Sequence, residues 1–136
     1  MIKVIAGGKG TGKTAQLVDQ INEQAGNEQS NIVCIEKGNR LDRLLKYKIR
    51  LIDISEYPTK GFNELLSFIA GIAAKDYDLT HVYIDSIFKV SQSSDFGELE
   101  LFLKRLDDFL AGTPIEVTII LSSEEKDLPK GVIKYF

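Results

Sequence analysis

Apolar positions along the chain follow two alternating rhythms. Ile2, Val4, Ile5 and Ala6 predict a first strand over residues 2–6. Leu17, Val18, Ile21 and Ala25 then line one stripe at helical spacing, which predicts a helix over residues 13–25. The run Asn-Ile-Val-Cys-Ile-Glu at 31–36 is almost continuously apolar, the pattern of a strand covered on both faces. A short helical turn at about 40–47 leads to a third strand at 49–54. Phe62, Leu65, Leu66, Ile69, Ile72 and Ala73 return to helical period over 61–75, and His-Val-Tyr-Ile-Asp at 81–85 reads as another buried strand. Asp95 and Glu98 have capping-box spacing before a helix that carries Leu99, Phe102, Leu103, Leu106, Phe109 and Leu110 on one face. Residues 115–121 predict a fifth strand, and Val132 to Phe136 a sixth at the sheet edge.

Strands that alternate with helices of 10–15 residues predict an α/β fold: a mostly parallel five-stranded sheet with helices on both faces, in three layers. At roughly 100–200 residues per domain, the 136 residues imply one domain spanning 1–136. Composition changes this picture little. A 43 % hydrophobic and 27 % charged chain is an ordinary globule, and the net charge of −3 gives no overall pull toward nucleic acid. One cysteine, Cys34, excludes an intrachain disulfide framework, and one histidine, His81, leaves no cluster for a metal. No apolar run approaches the about 20 residues of a membrane span, and no leader-like apolar segment opens the chain. A cytoplasmic protein that does not enter membranes is the expectation.

The chemistry concentrates between the first strand and the first helix, in Gly7-Gly8-Lys9-Gly10-Thr11-Gly12-Lys13-Thr14. This matches G-x-x-x-x-G-K-[ST] at every fixed position, a match expected by chance in roughly 1 % of chains this long. A triphosphate needs backbone N–H groups that converge on its oxygens. The glycines remove the side chains that would block that approach and permit positive φ. The helix that follows, through Lys13, Thr14 and Ala15, adds its free N–H groups and the positive end of its dipole. Lys13 is placed to reach the β- and γ-phosphates and the Thr14 hydroxyl to ligate Mg²⁺, so ATP and Mg²⁺ are the implied cofactors. The G-x-G-x-x-G dinucleotide fingerprint fails, because Gly8 and Gly10 have no third partner.

Such a site calls for a carboxylate at the C-terminal end of a buried strand, where it orients the metal. Asp85 ends the strand at 81–85 and is the expected metal residue; Asp53, which ends the third strand, is the competing choice.

In these residues the chain resembles the P-loop ATPases, and within them the RecA-like branch. The resemblance rests on Gly7–Thr14, on Ile32-Val-Cys-Ile-Glu36 followed by Leu41-Asp42, and on Val82-Tyr-Ile-Asp85-Ser86. It spans residues 1–122 in element order and implies a glutamate that polarises the attacking water. That residue stands either directly after the strand aspartate or near the end of the second strand. Ser86 fills the first location. Glu36 is the candidate at the second, although alignment through Leu41-Asp42 places Gly38 there. The resemblance also implies a polar γ-phosphate sensor that ends the strand beside the aspartate, which fits Ser122 or Ser123.

Lys37, Arg40, Arg43, Lys46, Lys48 and Arg50 fall close together, broken only by Asp42. They read as a solvated face or as a contact for an anion, a polynucleotide phosphate or a neighbour's γ-phosphate. Only Tyr47 adds an aromatic, so stacking on single strands has little support. Cys34 and His81 read as structural. The expected function is ATP binding with weak or partner-dependent Mg-ATPase activity, in a homo-oligomer or with a protein partner. A nucleotide-dependent switch without hydrolysis is the alternative. A small-molecule or nucleoside kinase comes third, because the loops at 55–61, 88–97 and 122–131 hold no arginine to close over a phosphoryl donor.

Overall fold

In the computed structural model every residue but Lys9 is described, Glu125 in its backbone only. The strands β1 (Ile2–Gly7), β2 (Ile32–Glu36), β3 (Arg50–Asp53), β4 (His81–Ile84) and β5 (Glu116–Ser122) form one all-parallel sheet in the order β1-β5-β4-β2-β3. Between them run α1 (Lys13–Ala25), α2 (Gly61–Lys75), the short α3 (Ile87–Ser91) and α4 (Phe96–Leu110), and α5 (Lys130–Ile133) follows β5.

The period-two pattern of the strands feeds two cores. Val4, Val33, Ile35, Ile52, Val82, Ile84, Val117, Ile119 and Leu121 face α2, α3 and α4. Ile32, Cys34, Tyr83 and Ile120 face α1 and the buried Leu41 and Ile49 of the 37–49 segment. The split follows from handedness: the chain crosses the sheet one way through α1 and returns the other way through α2 and α4. Right-handed crossovers in opposite senses put their helices on opposite faces. The continuously apolar β2 is buried at all five positions because both layers cover it. On α4, Asp95 caps as expected, its Oδ1 accepting from the Glu98 N–H at 2.9 Å, while Glu98 accepts from the Ser93 hydroxyl at 2.6 Å.

Two expectations are corrected. Val132 to Phe136 is not a sixth strand. After Pro129 the chain closes helical turns, with Lys134 N–H donating to Lys130 C=O at 3.2 Å. Val132 and Tyr135, three residues apart, are both buried in the core. The Tyr135 carbonyl also bonds to the sheet, accepting from the Val4 N–H of the edge strand β1 at 2.8 Å. The segment at 88–97 is also not simply a loop, since Ile87 and Val90 draw α3 into the core. No helix among the described residues is long and apolar enough to cross a membrane.

Candidate functional site at the C-terminal edge of the sheet

β1 ends at Gly7 and turns into α1 through two residues with positive φ, Gly10 at 83° and Gly12 at 79°. A side chain there would be strained, although a Cβ at either position meets no atom of the described residues within 4 Å. No described residue fills the space in front of the turn, and the glycines are needed for the backbone path and the approach to it. α1 begins without a side-chain cap. Its first-turn N–H groups, at Lys13, Thr14 and Ala15, are donors without intrahelical acceptors. Lys13 is 9 % exposed and folds back over the turn, donating to the Gly8 carbonyl at 2.9 Å, and the Thr11 hydroxyl donates to the same carbonyl at 2.8 Å. Gly7 sits under both, since a Cβ there would stand 2.8 Å from Thr11 Oγ1 and 3.4 Å from Lys13 Cδ. Lys9, the other residue expected here, lies outside the described residues. The open cradle, free N–H groups and buried lysine fit a phosphate chain, and the half-buried Thr14 is within the first turn, where a hydroxyl can take part in holding its cation.

Ser122 is the register partner of Gly7 and is exposed beside the turn; Ser123 bridges to Gly7 from the next position. A residue with no sequence signal joins them: a Cβ on Gly8 would lie 3.0 Å from Glu124 Oε1, so that carboxylate flanks the turn.

The carboxylates Asp53, Glu36 and Asp85 end three neighbouring strands in one row. Glu36 pairs in register with Asp53. Asp85 follows the Ile35–Ile84 pair, its N–H donating to Ile35 C=O at 3.0 Å. All three side chains are held on the α1 side by the loop at 37–41. Glu36 Oε2 accepts from the Leu41 N–H at 3.1 Å, Asp53 Oδ1 from the Gly38 N–H at 2.8 Å, and Asp85 Oδ2 from Arg40 Nη2 at 3.0 Å. The loops after β2 and β4 leave toward opposite faces, and the crevice between such strands is where open α/β sheets bind ligands. Glu36 and Asp85 stand there, each 1 % exposed. Asp85 is followed by Ser86 at φ 61°, ψ 72°, a left-handed conformation that costs a non-glycine residue about 1–3 kcal/mol.

Burial raises the Glu36 pKa above the ordinary carboxylate value, and the nearby Asp85 charge adds to this against the opposing Leu41 N–H and Arg40. Asp53 is shifted the other way by the Ser55 hydroxyl and the Gly38 N–H, and its oxygen is spent on both. That engagement ties Asp53 Oδ1 to its own turn. Among the described residues no three His, Cys, Asp or Glu side chains converge as a metal cage, so any cation here would draw ligands from elsewhere as well.

Cys34 is a core residue whose thiol is pushed far up by burial, which leaves it no nucleophile. His81 is engaged by Glu116 at 3.0 Å and Thr80 Oγ1 at 2.8 Å. His81 and Glu116 line an open polar cleft of about 450 Å³ at the far end of the sheet. Of the basic cluster, Arg40 alone forms an ion pair among the described residues. No protein-family model matches the chain, and comparison with curated proteins finds no similar one, so the site's own geometry carries the functional reading.

Proposed function

We propose that the chain binds a Mg²⁺–nucleoside triphosphate, ATP, at Gly7–Ala15, in a three-layer fold of the P-loop, RecA-like kind. The observation that carries this is the turn itself: two positive-φ glycines between a strand and an uncapped helix, with Lys13 buried against the Gly8 carbonyl. An amine held 2.9 Å from a neutral carbonyl has a weak partner and exchanges it readily for a phosphate oxygen. Lys13 would neutralise phosphate charge and the N–H groups of Lys13, Thr14 and Ala15 would direct the oxygens. Thr14 and Asp85 would hold the cation, which when bound supplies charge neutralisation at the transferring phosphoryl group. Ser122, beside Gly7, is the sensor candidate.

Turnover asks for a base or water-orienting group. Glu36 has one oxygen committed to Leu41 and is sealed from solvent, and the position after Asp85 is Ser86. This favours, as a second reading, nucleotide binding with little hydrolysis unless a partner completes the site. A homo-oligomer or protein partner would serve; the geometry adds nothing for nucleic acid.

Thermal melting with Mg-ATP tests binding. At ligand 100-fold above Kd the stabilisation is about 2.7 kcal/mol, roughly 8–12 °C for a chain of this size. Lys13→Ala is expected to remove most of that shift, and a wild type that does not shift refutes the reading. In a phosphate-release assay, activity that survives Glu36→Ala unchanged eliminates Glu36 as the water-orienting residue.

A further inference from the structure

The mouth of the sheet between β2 and β4 holds two buried carboxylates and one cation. Glu36 and Asp85, each 1 % exposed, stand opposite one another on paired strands, with Cα atoms about 4.8 Å apart by sheet geometry. Buried charges persist only when they are compensated. Arg40 is the one cationic side chain in hydrogen-bond contact with either of them among the described residues, through Nη2 to Asp85 Oδ2 at 3.0 Å. The compensation is incomplete. Among the described residues, Glu36 Oε1 is buried without a partner, and Asp85 Oδ1 has only the Ser86 hydroxyl at 3.5 Å. Two buried carboxylates that share a single cation leave room for a doubly charged ion in Arg40's place.

Arg40 is also built to leave. Its side chain is 57 % exposed while that of Asp85 is fully buried, so the guanidinium can swing into water and the carboxylate cannot follow. The loop that carries it turns at Gly38, where φ is +106° and an added Cβ would meet no described atom within 4 Å. Its two other tethers, the Gly38 and Leu41 N–H groups on Asp53 and Glu36, are neutral donors. A cation at Asp85 repels the guanidinium, and without that ion pair the loop is held by those two weaker bonds alone and opens more often.

We propose that Arg40 is a stand-in counter-ion for Asp85: it pairs with the buried carboxylate in the metal-free form and cedes it to the divalent cation that arrives with nucleotide. The loop at 37–41 then holds differently in the Mg-nucleotide form than in the metal-free form. The proposal rests on the nucleotide reading above.

The test is a Mg²⁺ titration of the binding of a fluorescent ATP analogue to the full chain, for wild type, Arg40→Ala and Arg40→Lys. Removing a competitor for Asp85 is expected to lower the Mg²⁺ midpoint of Arg40→Ala by about 5-fold or more. Arg40→Lys, which restores the charge, is expected to return it toward wild type, and the affinities in EDTA are expected to be alike. A residue that merely supports the fold would leave the midpoint unchanged or raise it on removal, and either result in a folded variant overturns the proposal. If Arg40→Ala does not fold, Arg40→Gln takes its place in the same titration. Hydrogen exchange of wild type gives an independent readout. Faster exchange over 37–45 with Mg-ATP than with ATP in EDTA is expected, and identical exchange overturns the proposal. Absence of nucleotide binding by wild type overturns the nucleotide reading and this inference together; binding with an unshifted midpoint overturns the role of Arg40 alone.

Discussion

Gly7→Ala isolates the packing of the glycine-rich turn from its backbone strain. Gly7 does not require a positive φ, unlike Gly10 and Gly12, so alanine adopts its conformation. What the new methyl meets is Thr11 Oγ1 at 2.8 Å, closer than real Cβ contacts, with Lys13 Cδ next at 3.4 Å. Thr11 must rotate away and give up its 2.8 Å bond to the Gly8 carbonyl, a net loss of about 0.5–1.5 kcal/mol. The melting temperature should therefore fall by roughly 2–6 °C. In a Thr11→Ala background the hydroxyl is already gone. There Gly7→Ala should be neutral or slightly stabilising, because alanine restricts the unfolded chain more than glycine. The thermodynamic cycle is thus expected to give a coupling of about 1 kcal/mol between positions 7 and 11. The same four proteins, melted with Mg-ATP, should show the ligand-induced shift reduced in Gly7→Ala and recovered in the double variant to the level of Thr11→Ala. If Gly7→Ala costs the same in both backgrounds, the crowding argument is refuted.

Two further outcomes concern stability. Asp95→Ala removes the side chain that accepts from the Glu98 N–H, and should cost about 1 kcal/mol in urea melts with an unchanged denaturant slope. No loss would mean that Ser93 and Glu98 cap α4 without it. Glu36 has a folded-state pKa raised above 4.5, so its protonated form favours folding. That contribution is present below 4.5 and lost as pH rises through the folded value. The melting temperature of Glu36→Gln relative to wild type should therefore climb between pH 4 and pH 8. A difference that stays flat or falls refutes the burial argument.

Much of the architecture is legible because local chemistry and the final packing agree. The stripe from Phe62 to Ala73 marks α2 at the expected bounds of 61–75, and the unbroken apolar run of β2 announces a strand buried on both faces. The expectation fails where a short segment satisfies two patterns. Val132 to Phe136 carries β-branched and aromatic residues fit for a strand, yet the spacing of Val132 and Tyr135 also fits one helical turn. The choice fell to the core beside α4, which accepts both side chains. α3 escapes the sequence pattern for a related reason: five residues carry too little periodicity to be read, and burial of Ile87 and Val90 makes them a helix.

By itself the sequence determined the α/β alternation, the glycine-rich turn with Lys13 and Thr14, and the strand-end positions of Glu36, Asp53 and Asp85, because period, turn chemistry and spacing are local properties. Tertiary structure decided what those residues do to one another. Strand order sets β5 between β1 and β4, which puts Ser122 against Gly7 and lines up three carboxylates in one row. The 37–41 loop then commits one Glu36 oxygen to Leu41 and puts Arg40, one of six cations clustered between positions 37 and 50, on Asp85. Glu124 gains its place beside Gly8 only because the end of β5 runs alongside the turn. Such pairings join residues up to more than a hundred positions apart, and their energies exist only once the sheet has brought the strand ends within a few ångströms of each other.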